Sequence, residues 1–312
     1  MTVDGDGGGS KLRRMKLFRR SHLVLPALIF GACERAKTPP ASDSTSKPPT
    51  AATDSANAAV TAAAWDPDAG SVLLISTETP SKAFVLIPDS ANTTAGLAAI
   101  PHPASVTLFG RNGTVQNAEL PEVTDASACA TATLSAAPPP RPWSVGFVGG
   151  VVAPVAVDSI ESLSHNDSTS FTIGVTRLAS ALPNDTAGRF SGLPFVVRAV
   201  WRFAIPQGPL VVAATLSRQI NQEATPLQER TFIVAERSGA DTTLSSVYSE
   251  RSYGDEETVE SRDMLAAILL GGARNPAIIL SHDFGNAVAY AIIERGDDGR
   301  WRARWKSPRR RC

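Results

Sequence analysis

From Ser71 onward the chain alternates between short apolar runs of strand length and clusters of turn-forming residues, the pattern of a β-rich architecture. "SVLLIST" (71–77) and "KAFVLIP" (82–88) predict a hairpin around Thr79, Pro80 and Ser81. In "ASVTLFGRNGTVQNAEL" (104–120), Asn112-Gly113 lies between Val106, Leu108 and Val115, so the two arms should pair antiparallel. "SAAPPPRPW" (135–143) holds four prolines, cannot be strand interior or helix, and is a candidate divide between two subunits of the domain.

Beyond the prolines, "WSVGFVGGVVAPVAV" (143–157), "STSFTIGVTRL" (168–178) and "PFVVRAVWRFAI" (194–205) continue the strand-like series. In the last, Val197, Ala199, Trp201 and Phe203 alternate with Arg198, Val200, Arg202 and Ala204, which places both arginines on one face. "PLVVAATLSRQI" (209–220) and "ERTFIVAER" (229–237) predict a long hairpin. One prominent helix is expected at about 255–270, with Asp255 as N-cap, Glu256 and Glu257 in its first turn, a stripe of Val259, Met264, Leu265, Ile268 and Leu269, and Gly271 or Gly272 as the stop. A final hairpin runs to residue 305, with Trp301, Ala303 and Trp305 on one face and Arg302 and Arg304 on the other. The fold class is therefore mainly β, a β-rich α+β arrangement of antiparallel sheets built from hairpins. No internal repeat of fixed period points to a propeller or solenoid.

The first 64 residues do not fit that pattern. "MKLFRRSHLVLPALIFGAC" (15–33) sets Lys16, Arg19 and Arg20 before an apolar core of about 8 residues, the size of a signal-peptide core and too short to span a bilayer. Gly31, Ala32 and Cys33 follow, and this segment resembles the lipobox of bacterial lipoproteins, with Phe30 standing where that family prefers Leu, Val or Ile. The resemblance implies a signal peptide over 1–32, with Met15 a suitable true start, and lipidation of Cys33 as the first mature residue. It also implies a membrane-anchored, exported protein facing the periplasm. Glu34 is not an inner-membrane retention residue, so the outer membrane is the implied destination. About three quarters of Glu34 to Ala64 is Ala, Ser, Thr or Pro without an aromatic residue, so residues 33–64 predict an anchored, disordered linker. Residues 65–312 then form the exported domain, long enough for a real core.

Charge changes the picture once the leader is set aside. The whole chain balances 30 basic against 30 acidic residues; without the six basic and two acidic ones of 1–32, the rest holds 24 and 28. A slightly acidic chain argues against a nucleic-acid partner. In an oxidising compartment the two remaining cysteines, Cys129 and Cys312, allow one intramolecular bridge. It would close a loop of about 180 residues, worth about 4–5 kcal/mol in the chain-entropy treatment.

Candidate chemistry is sparse. His102, His165 and His282 lie far from one another and from either cysteine, so the sequence carries no zinc signature, and no cofactor or metal is expected. "LSHND" (163–167) and "LSHDFGN" (280–286) each set a serine beside a histidine and near a carboxylate. Adjacent strand residues face opposite ways, so Ser281 and His282 cannot form one dyad, while Ser164 with His282 and Asp283 remains a cross-segment pairing. "GRWRARWKSPRRRC" offers Arg302, Arg304, Arg309, Arg310 and Arg311 as a contact for an anionic membrane or glycan surface, although period two more simply buries the tryptophans and solvates the arginines. The expected function is a non-catalytic binding or structural role in the cell envelope, with an envelope protein or glycan as partner. The alternative is a secreted hydrolase with a Ser/His/Asp arrangement around His282 or His165.

Overall fold

The computed structural model describes residues 65, 67–88, 100–123, 129–183, 188–221, 226–237, 239 and 243–311. The signal segment, Cys33, the linker and Cys312 lie outside the described residues. Strands β1 (Val72–Ser76), β2 (Lys82–Leu86), β3 (Ala104–Phe109), β4 (Val115–Leu120), β5 (Thr131–Thr133) and β6 (Val145–Val148) make an N-terminal sheet of order β4-β3-β6-β1-β2-β5. The chain then runs through β7 (Val152–Val155), β8 (Asp158–Ser159), helix α1 (His165–Ala181), β9 (Val196–Ala204), β10 (Leu210–Ile220), β11 (Leu227–Arg237) and β12 (Ser245–Asp255). It ends in β13 (Ser261–Leu270), β14 (Asn275–Asp283), β15 (Val288–Arg295) and β16 (Trp301–Lys306). Two further antiparallel sheets result, a middle one of order β16-β15-β14-β13-β7 and a helix-side one of order β12-β11-β10-β9-β8.

Burial fixes the stacking of these layers. Leu73, Leu86, Phe109 and Phe147 of the N-terminal sheet share a core with Ala266, Ile268, Ile279 and Ile292 of the middle sheet. The opposite face of the middle sheet, with Met264, Ile278, Leu280 and Ile293, packs against Trp201, Phe203, Val211, Phe232 and Val234 of the helix-side sheet. The other face of that sheet is covered by Phe171, Val175 and Ala179 of α1. The middle sheet is thus apolar on both faces, and its strands read as continuous hydrophobic runs.

That double burial overturns the helix expected at 255–270. The segment is the end of β12, a tight turn in which the Val259 N–H donates to the Asp255 carbonyl at 2.9 Å, and strand β13. "MLAAILL" has no polar face, and a short all-apolar run suits a strand between two cores better than a helix needing one wet side. Gly271, at φ +66°, opens the turn into β14 instead of closing a helix.

The helix of the described residues is α1, in a stretch whose Thr, Ile and Val content suggests strand. Ser164 caps it: its hydroxyl accepts from the Asp167 N–H at 3.2 Å and donates to the Asp167 carboxylate at 2.9 Å. Thr172 and Thr176 donate to the carbonyls of Ser168 and Thr172 at 2.9 and 2.8 Å, which satisfies their hydroxyls within the helix. Phe171, Val175 and Ala179 recur at the spacing of one helical face.

Bulges account for the remaining differences in facing. One between Thr215 and Leu216 on β10 leaves Arg198 of β9 without a paired residue, so Ala199 packs toward the middle sheet while Val197 packs toward α1. Arg198 bonds Ser217 at 2.7 Å, whereas Arg202 pairs with Asp158 at 3.2 Å on the edge. Another bulge, at Arg304, moves Trp305 to the face opposite Trp301 and Ala303, so the two tryptophans serve different cores.

Candidate functional site

Two places concentrate polar chemistry, one buried and one open. The buried one lies between the middle and helix-side sheets. Alternation along β12 aims Tyr248, Glu250 and Ser252 at the middle sheet; Arg262 of β13 and His282 of β14 sit opposite each other in register, and Glu260 precedes β13. Arg262 Nη2 stands 3.0 Å from Glu260, its Nε contacts Glu250, and its Nη1 donates to Ser252 at 3.2 Å. His282, fully buried, bonds Glu260 through Nδ1 at 2.6 Å. A carboxylate partner makes Nδ1 the protonated nitrogen, and Nε2 is left buried without a hydrogen bond.

The electrostatics follow from this packing. Burial by itself pushes the Glu260 carboxyl up, but the His282 hydrogen bond and the charges of Arg262, His282 and Lys306 outweigh it and hold it at about 2. Burial likewise opposes ionisation of Glu250, where the Arg262 charge prevails and the net shift is downward. Burial pushes His282 below its ordinary value despite Glu260, so the ring is neutral at pH 7. Burial and the adjacent Glu250 push the Tyr248 phenol up.

Glu250, Glu260 and His282 bring three metal-binding donor atoms within 4.8 Å of one another, a grouping that sequence spacing did not reveal. Arg262 already contacts both carboxylates, so the cation of this cluster is a guanidinium and the arrangement reads as an internal ion-pair network. A second network faces α1: Glu229, fully buried, receives Arg218 at 2.9 Å and Arg251 at 3.0 Å. Arg218 also donates to the Phe190 carbonyl at 2.7 Å and Arg251 to that of Pro183 at 2.6 Å. These bonds fasten the chain that leaves α1 across the sheet.

The serine and histidine motifs come apart. Ser281 and Asp283 flank His282 on the opposite face of β14, and Asp283 accepts from the Gly285 N–H at 2.7 Å. Ser164 belongs to the cap of α1, on the far side of the helix-side sheet from His282. His165 and His102 are exposed. Of the candidate basic residues, Arg302 pairs with Asp298 at 3.1 Å and Arg304 with Glu294 at 3.5 Å, while Arg309 lies 3.8 Å over the Phe284 ring. Arg310 bridges Val288 by two 2.8 Å backbone bonds, which brings the Arg311 carbonyl to 3.2 Å from Cys129 Sγ. Cys33 and Cys312 lie outside the described residues.

The open site is a groove of about 430 Å³ along α1. His165, Thr169, Ile173 and Arg177 line it from the helix, and Arg237 and Leu244 from the end of β11 and the approach to β12. Gly174 lets Leu244 pack closely against the helix, since a Cβ there would lie 3.0 Å from Leu244 Cδ1. Arg237 lies 5.7 Å over the Phe171 ring, and neither it nor Arg177 is paired with an acid among the described residues. Sequence reading missed this groove because it took α1 for a strand; the Ser164-x-x-Asp167 cap was the available signal. No protein-family profile matches the chain, and no curated protein or solved structure matches it either.

Proposed function

We propose that the chain is an exported lipoprotein, held at a bacterial envelope membrane through acylated Cys33 and facing the periplasm, with a non-catalytic binding role for its layered β unit. Support for the anchor is the run of basic residues, short apolar core and Cys33, followed by a spacer without aromatic residues. Among the described residues no helix is long and apolar enough to cross a membrane; in this reading the acyl chains at Cys33 make the attachment.

The observation that carries the non-catalytic part is the fate of the histidines. His282 is sealed between two sheets and committed to Glu260, with Ser281 and Asp283 facing away, while the Ser164 hydroxyl is spent on a helix cap. A general base needs reach to a substrate proton, and His282 has none. We further infer a Cys129–Cys312 bridge, supported by the approach of Arg311 to Cys129 and by the expected oxidising compartment.

Fractionation tests the reading. The wild-type chain should sediment with membranes and be released by detergent, and Cys33→Ala should be soluble; a wild-type chain soluble without detergent would overturn it. Purified protein should show no ester or amide hydrolysis above a His282→Gln control, and turnover lost in that variant would replace binding with catalysis.

A further inference from the structure

We propose that the groove along α1 binds a short acidic peptide segment of an envelope protein, with an apolar residue flanked by carboxylates. The inference deepens the binding reading above and rests on it. Its basis is charge complementarity on a shaped surface. Arg177 and Arg237 stand on opposite walls and, among the described residues, neither has an acidic partner and no acidic side chain lines the groove; the exposed His165 ring adds an N–H donor at the start of the helix. Helix α1 begins at this end, so its dipole adds to the attraction for negative charge.

Shape selects an extended chain over a compact small molecule. The lining residues follow one face of α1 from Asn166 to Arg177, about 16 Å at 1.5 Å per residue. An extended peptide covers about 3.3 Å per residue, so roughly five residues span it. A groove open along its length leaves much of a small ligand wet, whereas enclosed pockets bury most of it. Ile173, 61% exposed, and Leu244 give the floor an apolar patch, which suits a Leu or Ile side chain better than a sugar. Arginine on each wall then meets the flanking carboxylates with paired N–H donors.

Fluorescence anisotropy of two end-blocked, fluorescein-labelled probes, Glu-Leu-Asp-Leu-Glu and Lys-Leu-Lys-Leu-Lys, tests this on the full Cys33→Ala chain. The acidic probe should bind saturably and more weakly as salt is raised, and the basic probe should not bind. Arg177→Glu combined with Arg237→Glu should weaken binding by about tenfold or more, and so should Ile173→Asp, an exposed change that leaves the core intact. Far-UV circular dichroism unchanged from the parent confirms folding of each variant. Absence of saturable binding, or binding indifferent to these substitutions, overturns the proposal; so does binding of anionic vesicles or an anionic glycan in place of the acidic probe. If the probe fails while the wild-type chain is acylated at Cys33, the groove loses its ligand and the anchored protein stands; if the probe binds Cys33→Ala while the wild-type chain carries no acyl group, the anchor falls and the groove stands.

Discussion

Replacing Arg262 by leucine tests the buried network most severely. The side chain is 3% exposed and lies between Glu250 and Glu260, 16% and 5% exposed, so its removal strands two carboxylates between sheets with Lys306 the nearest remaining cation, 3.8 Å from Glu260. A pair at 3.0 Å carries about 5–6 kcal/mol of attraction at an effective dielectric near 20, before desolvation is subtracted. Removing one partner of a buried pair costs about 3–5 kcal/mol, and that is the expected loss at pH 7.5. The pH dependence has a definite sign. Without Arg262, burial of the two carboxyls is opposed only by His282, Tyr248 and Lys306, so their folded-state pKa values rise relative to the wild type, and the penalty, full at high pH, is relieved as pH falls and they take up protons. Urea unfolding followed by tryptophan fluorescence is a suitable assay, since all five tryptophans are buried and report loss of the cores. Arg262→Leu should lose less stability at pH 4.5 than at pH 7.5, and adding Glu250→Gln and Glu260→Gln should restore part of it. A loss below about 1 kcal/mol, or one identical at both pH values, would refute the ion-pair account.

Three further perturbations follow from the same structure. In the wild type, Glu260 is held at about 2 against an ordinary 4.5, which contributes about 3 kcal/mol that is present above pH 4.5 and lost as pH falls toward 2. His282, depressed below 6.5 by burial, imposes a penalty that sets in as pH falls through 6.5 and the unfolded chain takes up a proton that the buried ring does not; urea midpoints across this range should decline monotonically, and a flat profile contradicts both shifts. Phe147→Ala, which empties a site 1% exposed between the N-terminal and middle sheets, should cost about 3–5 kcal/mol in the same assay. Ser164→Ala should cost about 1 kcal/mol in a thermal melt through loss of the α1 cap, and no change would remove the capping role.

The hairpins were legible because their signals are local. Asn112-Gly113 joins β3 to β4, with Gly113 at φ +80°, and the paired apolar runs of β1–β2 and β10–β11 lie where the pattern puts them. The helix and strand exchanged places for a non-local reason. Whether "MLAAILL" is covered on one side or two depends on the N-terminal and helix-side sheets, and nothing within the run records either. In α1, β-branched residues outweighed the cap to the eye, though not in the folded chain, where threonines bond the preceding turn. Period-two reading also fails past a bulge, as Val197 and Trp305 demonstrate. His282 was visible as a lone histidine. Its partners Glu250 and Glu260 arrive from another sheet and a turn, so their meeting is a product of packing.

The anchored reading stands or falls on covalent chemistry at Cys33. Intact mass of the protein recovered from a membrane fraction, with and without reductant, is the most direct measurement. A chain starting at Cys33, carrying acyl mass that is absent from Cys33→Ala and gaining two hydrogens on reduction, is the predicted result. An unprocessed or unacylated chain would contradict the account.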